Sequence, residues 1–506
     1  MKTKNIAPLH GTFYQAVAVA LLTLPHATTA QDSSETSLED LDQKLRILER
    51  KLEVAEETAA SKPPAPVPVA GEDGFSLKSA DGNFAVKFRG LLQTDYRAFL
   101  GDTNYNDAKV FKDSSYSDPN DYLRKSPRLV NTFLLRKVRP VFDVTLYKYY
   151  TFRVTPDFGG GTTALMDAYG DVNFRPELRL RVGKFKPPIG LERLQASEDN
   201  NFVEFNYPSS LIPNRDIGVQ LSGDLFGESV NYAAGYFNGA EDGVNKDNDL
   251  TNHKDFTGRI FALPFKNTNV NFLGGLGLGV AGSWGESWGD SVNTGLSTIR
   301  SSGQNTIFSY RTNRPTTTVL DSNTVRAAGE HWRLNPQGYW YVGPFSLFGE
   351  YIISSQKVAR SKPVRDTTGG VKTLQERDIR TLKNKSWGVS ASWIVTGEPT
   401  SYKAVKPRHP LTPDLSGIGA IELVARAGQF LPEDGTFVSN LYADTLASVR
   451  KATSFGGGVN WYFNRAVKWV LDYEFTKFEQ GAKDWAGKIK NRDDEQVITT
   501  RLQINF

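Results

Sequence analysis

The last twelve residues of the chain alternate between two kinds of side chain, and this pattern constrains the fold more than any other. Phe506, Ile504, Leu502, Thr500 and Ile498 fall on one face, while the other face is mainly polar. A period of two is the geometry of a β-strand. Such a strand predicts the closing strand of a membrane barrel, or alternatively a half-buried strand of a soluble sandwich.

The first thirty residues predict export. Lys2 and Lys4 precede an apolar run (13–24) and small residues ending at Ala30, so residues 1–30 are predicted to be a signal peptide. No other apolar stretch reaches the roughly 18 residues that a membrane helix needs. The chain has no cysteine, so disulfides cannot stabilise the exported protein. We therefore expect a barrel, closed by hydrogen bonds, in the outer membrane of a Gram-negative bacterium.

The chain after residue 83 reads as strands separated by turns, each with one face that is apolar and rich in Trp or Tyr. The short link at Asn464-Arg465 contrasts with long predicted loops at 285–325 and 359–384. The expected fold is an all-β membrane barrel of sixteen antiparallel transmembrane strands, which would leave a water-filled lumen. The predicted strands are 83–100, 131–147, 149–158, 163–174, 178–185, 216–225, 228–238, 256–266, 270–284, 326–342, 344–358, 385–397, 418–431, 451–463, 466–479 and 495–506.

Two segments precede the predicted barrel (79–506). Leucines alternate by three and four from Leu38 to Leu52, which predicts a short periplasmic α-helical coiled coil within residues 31–60. So short a helix is marginal alone, which implies self-association. A frayed helix, a disordered charged segment, and contact of residues 35–58 with periplasmic or cell-wall partners remain alternatives. Residues 61–78 predict a Pro/Ala-rich linker.

The residue content argues against an enzyme. Only His253, His331 and His409 follow the predicted signal peptide, and no metal-ligand spacing is present. We therefore predict no catalytic residue, no metal site and no cofactor. Loss of Lys2 and Lys4 leaves a net charge of about +2, so the total charge decides nothing about ligands, and no nucleic-acid partner is expected.

Basic residues concentrate on the faces opposite the apolar ones. In the fifth predicted strand, Leu180 and Val182 would face lipid, which turns Arg179 and Arg181 into the lumen. Arg or Lys at the bilayer midplane costs about 2–4 kcal/mol, so a lumen position is nearly forced. These cations would make the pore attract anions, or would pair with loop carboxylates such as Glu198, Asp199 and Glu204. The predicted lumen cations are Lys87, Arg89, Arg97, Lys137, Arg139, Arg153, Arg179 and Arg181.

One loop is unusually apolar. Pro187-Pro188-Ile189-Gly190 cannot continue a strand ladder, and the residues up to 215 include many aromatic and aliphatic side chains. We expect loop 187–215 to fold against the inner wall and to bring Lys186, Arg193 and Arg215 near the pore axis. A long external loop, for example at trimer contacts, is the alternative.

A set of short motifs then resembles the phosphate-selective porin O and P family across 79–506. These are 181–192 (RVGKFKPPIGLE), 206–210 (NYPSS), 215–221 (RDIGVQL), 236–239 (YFNG), 259–265 (RIFALPF), 343–351 (GPFSLFGEY), 460–464 (NWYFN) and 500–506 (TRLQINF). The resemblance implies a homotrimer of sixteen-stranded barrels with an Arg- and Lys-lined pore for passive uptake of phosphate or polyphosphate. It also implies a periplasmic N-terminal coiled coil in some relatives. A general or other-anion porin, and a barrel-anchored tether or adhesin, remain alternatives.

Overall fold

The structure is a computed structural model that describes residues 38–61, 66–72, 74–100, 129–249, 251–290, 293–312, 324–365, 371–483 and 488–506. The predicted signal peptide lies outside these residues. The chain divides into two units, with helix α1 (Leu38–Ser61) in the first and every strand in the second, which begins at Pro66. Within the described residues, no helix has both the length and the hydropathy to cross a bilayer.

Sixteen antiparallel strands form the barrel. Each pairs with the next, and the last pairs with the first, from Gln496↔Leu100 to Asn505↔Leu91. The even number and the strand positions confirm the predicted fold class. The barrel strands are β3 (Ala85–Leu100), β4 (Thr132–Leu146), β5 (Tyr150–Asp157), β6 (Ala164–Arg175), β7 (Leu178–Phe185), β8 (Asp216–Leu225), β9 (Val230–Phe237), β10 (Asp255–Ala262), β11 (Leu276–Trp288), β14 (Val325–Val342), β15 (Phe345–Arg365), β16 (Val371–Ile394), β17 (Ala420–Leu431), β18 (Val449–Tyr462), β19 (Val467–Lys483) and β21 (Glu495–Asn505).

A hairpin completes the seam of the barrel below the C-terminus. Strands β1 (Val67–Gly71) and β2 (Gly74–Lys78) pair with each other, and β2 pairs with the part of β3 that β21 does not reach. The Phe506 ring lies 5.7 Å from Phe75 and 5.6 Å from Phe88, so aromatic contacts fasten this junction. The segment predicted as a linker (61–78) therefore contains a hairpin, because β2 forms hydrogen bonds with the part of the β3 edge that β21 leaves unpaired.

Two strands are longer than the sequence predicted. Strands β15 and β16 occupy much of 359–384, which was predicted to be a loop. Their outer parts stay paired, for example at Arg360↔Arg377. Alternation marks a strand only where one face meets lipid, and beyond the membrane both faces can be polar. The apolar pattern therefore ends before the ladder does.

The inside of the barrel is filled at its loop-side end. The loop between β11 and β14 carries a small hairpin, β12 (Ile299–Arg300) and β13 (Thr306–Phe308). Its apolar side chains pack with a 3₁₀ segment (Asp434–Asn440) and with inward-facing residues of the wall. A second hairpin strand, β20 (Ile489–Asn491), extends β19 beyond the barrel. The lumen that we expected to be water-filled is thus apolar at this end of the described chain.

We expect the barrel end that bears the short turns to face the periplasm. The chain has no native cysteine, so Ser439→Cys on the loop end and Leu415→Cys on the turn end give two single-thiol variants at exposed positions. On intact cells, a membrane-impermeant maleimide should label the Ser439→Cys variant but not the Leu415→Cys variant. After permeabilisation it should label both. Labelling of the Leu415→Cys variant alone on intact cells would reverse the orientation.

Candidate functional site

The chain between β7 and β8 folds into the barrel, as the sequence predicts for 187–215. It contains the short helix α2 (Leu191–Leu194) and a 3₁₀ turn (Tyr207–Leu211). The Glu350 carboxylate on β15 accepts hydrogen bonds from the backbone N–H groups of Leu191 (2.8 Å) and Glu192 (3.3 Å). Glu192 in turn accepts from the Asn206 N–H (2.9 Å). Buried carboxylates therefore fix this segment, the inner loop (186–215), against the wall.

A second buried carboxylate fastens the inner loop to the opposite wall. Glu204 lies 3.0 Å from Arg97 and 3.1 Å from Arg136. Burial by itself would raise the pKa of Glu204, but the charges of Arg136 and Arg97 lower it to about 2. Glu204 is therefore ionised throughout the physiological range, and Arg97 is a partner of the loop.

Below the inner loop, on the turn side, lies a polar cavity of about 680 Å³. Its walls come from β3 to β10, from the inner loop, from the turn 395–419 and from the C-terminus. Eleven basic and four acidic side chains line it, so positive charge predominates. The basic side chains are Arg89, Arg139, Arg153, Arg179, Arg181, Lys186, Arg215, Arg259, Lys403, Lys406 and Arg465.

Most of the predicted lumen arginines line this cavity, but each has an aspartate partner on the wall. The sequence suggested loop carboxylates as partners, yet only Glu204 serves in that way among the three candidates. The pairs are Arg89 and Arg153 with Asp143 (2.8 and 2.6 Å), Arg139 with Asp157 (2.7 Å), Arg179 with Asp224, Arg181 with Asp171 (2.7 Å) and Arg215 with Asp167 (2.9 Å). These cations therefore contribute less net field than their number suggests.

Besides Arg97, which binds Glu204, three other predicted residues do not line the cavity. Lys87 lies half-buried at the start of β3. Lys137 is buried, with its ammonium 6.0 Å from the Phe205 ring. Arg193 is also buried: its guanidinium lies 4.5 Å from the same ring and donates to Asn214 (3.2 Å) and to the Ser209 carbonyl. Arg193 thus stiffens the inner loop from within.

The structure adds four lining cations that the sequence did not predict: Arg259, Lys403, Lys406 and Arg465. Arg259 occupies an inward position of β10, which alternation with the exposed Ile260 could have revealed. Lys403 and Lys406 belong to the turn 395–419, which folds inward against the inner loop. There the Asp199 carboxylate accepts from the Ala404 N–H (2.8 Å). Only the unusual length of that turn hinted at this contact.

Four lining cations have no carboxylate within ion-pair distance among the described residues: Lys186, Arg259, Lys403 and Lys406. Lys186 donates only to the Gln195 carbonyl. Burial lowers the pKa of Lys186 well below its usual range, and the charge of Arg215 lowers it further. Burial likewise lowers the pKa of Arg193, to about 10. An anion beside Lys186 would favour its protonated form.

Replacing Glu204 by Gln should destabilise the barrel, because it leaves Arg97 and Arg136 without their counter-charge. Removing one partner of a buried pair costs about 3–5 kcal/mol. Thermal unfolding of the purified protein, followed by circular dichroism, should show a clear loss relative to the exposed-loop control Asp414→Asn. Because the pKa of Glu204 is lowered on folding, its contribution should be present above about pH 4 and lost as the pH falls toward 2. Equal stability of both variants would contradict the anchoring role.

The chain is similar to several known proteins of the outer membrane. Porin O of Pseudomonas aeruginosa is 24% identical over 477 residues, which cover 87% of this chain and 93% of that protein. The outer membrane channel DcaP of Acinetobacter baumannii is 12% identical over 86% of this chain and 99% of its own, with a TM-score of 0.48. An anion-selective porin from Comamonas acidovorans is 12% identical over 84% of this chain and 100% of its own, with a TM-score of 0.44.

The sequence also matches the profile described as phosphate-selective porin O and P over residues 115–506, which is most of the chain. Porins are channels and not enzymes, in agreement with the lack of catalytic motifs. The chain therefore belongs to the phosphate-selective porin O and P family, and it is a porin of the outer membrane.

Proposed function

We propose that phosphate or polyphosphate diffuses passively through the basic cavity below the inner loop. The observation that carries this proposal is the group of unpaired lining cations, Lys186, Arg259, Lys403 and Lys406. Unpaired charges between low-dielectric walls attract oppositely charged ions into a passage. The arginines that pair with aspartates hold neighbouring strands of the wall in register. They also have N–H groups left that can donate hydrogen bonds to an anion.

The chemistry of the cavity suits oxyanions. An Arg guanidinium presents donors in a planar fork that fits two phosphate oxygens, and rings of basic side chains are typical of anion and phosphate pores. A conducting site must also release its ion. The aspartate partners of Arg139, Arg181 and Arg215 weaken the binding of an anion, because they compete with it for the same N–H donors. The result is a succession of weak sites.

The apolar filling of the loop-side lumen supports a second candidate. Ile307, Phe308 and Phe430 are almost fully buried there, and such a filling would lower conductance. A barrel of low conductance would serve better as an anchor, with its loops or helix α1 as the working part. Bilayer recordings separate this candidate from the porin.

Neutralising the unpaired cations should weaken anion selectivity. In a KCl gradient across a planar bilayer, the wild-type reversal potential should have the sign of chloride permeation. The preference should weaken at high salt, because the Debye length is only about 10 Å at 0.1 M. Added phosphate should reduce the chloride current. The triple variant Lys186→Gln/Lys403→Gln/Lys406→Gln should lower the chloride-to-potassium permeability ratio by about twofold or more and weaken the phosphate block.

The control for this experiment is Lys148→Gln, which removes an exposed lysine of the turn 147–149 that does not line the cavity. It should behave as the wild type. A cation-selective wild-type channel would overturn the proposed route, and anion selectivity without phosphate block would remove phosphate as the ligand. Very low conductance in every variant would favour the anchor.

We also propose that the protein is a homotrimer whose helices α1 associate in the periplasm. Leu41, Leu45, Leu48 and Leu52 of α1 are all more than half exposed, so their apolar seam lacks a cover within the described part of one chain. Two ion pairs on the helix, Asp42–Arg46 and Arg50–Glu53, involve residues outside this seam. Copies tethered to neighbouring barrels would meet at high effective concentration, which compensates for the short helix.

Replacing Leu41, Leu45 and Leu48 by Ser should lower the dissociation temperature of the trimer without preventing barrel folding. Semi-native electrophoresis over a temperature series measures this, and Glu49→Ser on the same helix is the control. An unchanged dissociation temperature would leave α1 as a spacer or as an arm for another partner.

A further inference from the structure

The taller strands of the barrel carry a row of lysines on their outer surface. Lys357, Lys383, Lys385 and Lys477 are exposed, whereas their chain neighbours Leu382, Asn384 and Phe478 are buried inside. Because successive side chains of a strand point to opposite faces, the four lysines point away from the lumen. They therefore lie outside the anion route and do not contact an ion that passes through it.

The height of this row places it at the edge of the membrane. Along β16 and the adjoining Val395, the same outer face is apolar through Trp393 and Val389 to Trp387. A strand needs about 9–11 residues to cross the hydrocarbon layer, which matches this stretch. Lys385 is the next outward residue beyond Trp387. Aromatic residues mark the interface of membrane barrels, so Lys385 lies at the level of the lipid headgroups.

Strand pairing connects this part of β16 to lysines on neighbouring strands. Trp387 pairs with Gln429, Gln429 with Thr453 and Thr453 with Lys477. Lys477 is thus three strands away, roughly 14 Å at about 4.8 Å per strand. On the other side Lys383 pairs with Ser355, and its ammonium lies 5.9 Å from the Trp332 ring. The row therefore forms one surface, the outer lysine row (Lys357, Lys383, Lys385, Lys477).

Counter-charges for this surface do not come from the described part of the protein. None of the four lysines forms an ion pair with a described carboxylate, although many cations of this chain do. Lys451, nearby on β18, pairs with Glu479. Glu433 accepts a bond from the backbone N–H of Lys383 (3.3 Å), and its carboxylate forms no ion pair with the ammonium group. The lysines thus remain available to an external anion.

We propose that the outer lysine row binds the phosphate groups of lipid headgroups in the outer leaflet. Basic side chains next to a membrane attract anionic headgroups, and long lysine side chains reach from an apolar surface to the polar layer. The adjacent Trp332 and Trp387 would hold the acyl-chain side of the same lipid at the interface. This inference depends on the loop-side end facing the exterior and is independent of the proposed anion route.

The test uses the purified full-length protein in detergent, titrated with lipid A that carries its phosphates and with dephosphorylated lipid A. Native mass spectrometry gives the dissociation constant of each. Wild-type protein should prefer the phosphorylated lipid. Lys383→Gln/Lys385→Gln should bind it about tenfold more weakly or worse, and Lys383→Arg/Lys385→Arg should restore binding. Single-channel conductance should stay unchanged, which verifies folding independently.

The matched control is Lys78→Gln/Lys148→Gln, which removes two exposed lysines near the turn-side end and should bind as the wild type does. Equal affinity of the wild type for both lipids, or of the Gln variant and the wild type for the phosphorylated lipid, would overturn the proposal. So would displacement of the lipid by inorganic phosphate at the same phosphate concentration, because the site would then bind free phosphate. If the Gln variant does not fold, the preference of the wild type alone decides.

Discussion

The rest of the structure depends on the pairing of the last strand with the first. A strand edge left open in lipid would expose several N–H and C=O groups without partners, each at a cost of several kcal/mol. Strand β21 closes the ladder on β3 over ten residue pairs, and β2 fills the remaining part of the β3 edge. Any side chain at position 90 would collide with the Phe506 ring, because a Cβ atom built on Gly90 would lie 2.6 Å from the nearest ring atom. The C-terminal aromatic residue is therefore part of the closure.

Closure also decides where charge can go. Once the outer faces are committed to lipid, basic side chains of the wall must face inward, and their burial must then be compensated. The structure compensates with cross-strand pairs such as Arg181–Asp171, whose residues face each other directly on β7 and β6. Such pairs are structural elements of the wall. The field that an anion meets comes instead from cations that lack partners, and these lie on the inner loop and on the turn 395–419 as well as on the wall.

The barrel could be predicted from the sequence because lipid imposes a simple pattern. Alternation located all sixteen strands, and the parity of Leu180 and Val182 assigned Arg179 and Arg181 to the lumen, which agrees with the exposure of Val182. The same rule would have found Arg259. It could not find Lys403 and Lys406, because their position depends on a contact between two loops far apart in sequence, Asp199 with Ala404. Nor could it predict that Arg193 turns into its own loop and stacks on Phe205.

The charged residues of the inner loop differ in whether they have partners within the protein. Two of its four carboxylates do not line the cavity: Glu192 binds the loop backbone, and Glu204 binds Arg97 and Arg136. The other two, Glu198 and Asp199, line it. Lys186 and Arg215 lie at its two ends and face the cavity. Burial raises the pKa of Glu192 and lowers that of Lys186, so both groups resist ionisation unless a partner is near. Glu192 has its partners in the protein, whereas Lys186 has only the Gln195 carbonyl. The inner loop therefore gives Glu192 and Glu204 protein partners, whereas Lys186 has no carboxylate partner among the described residues.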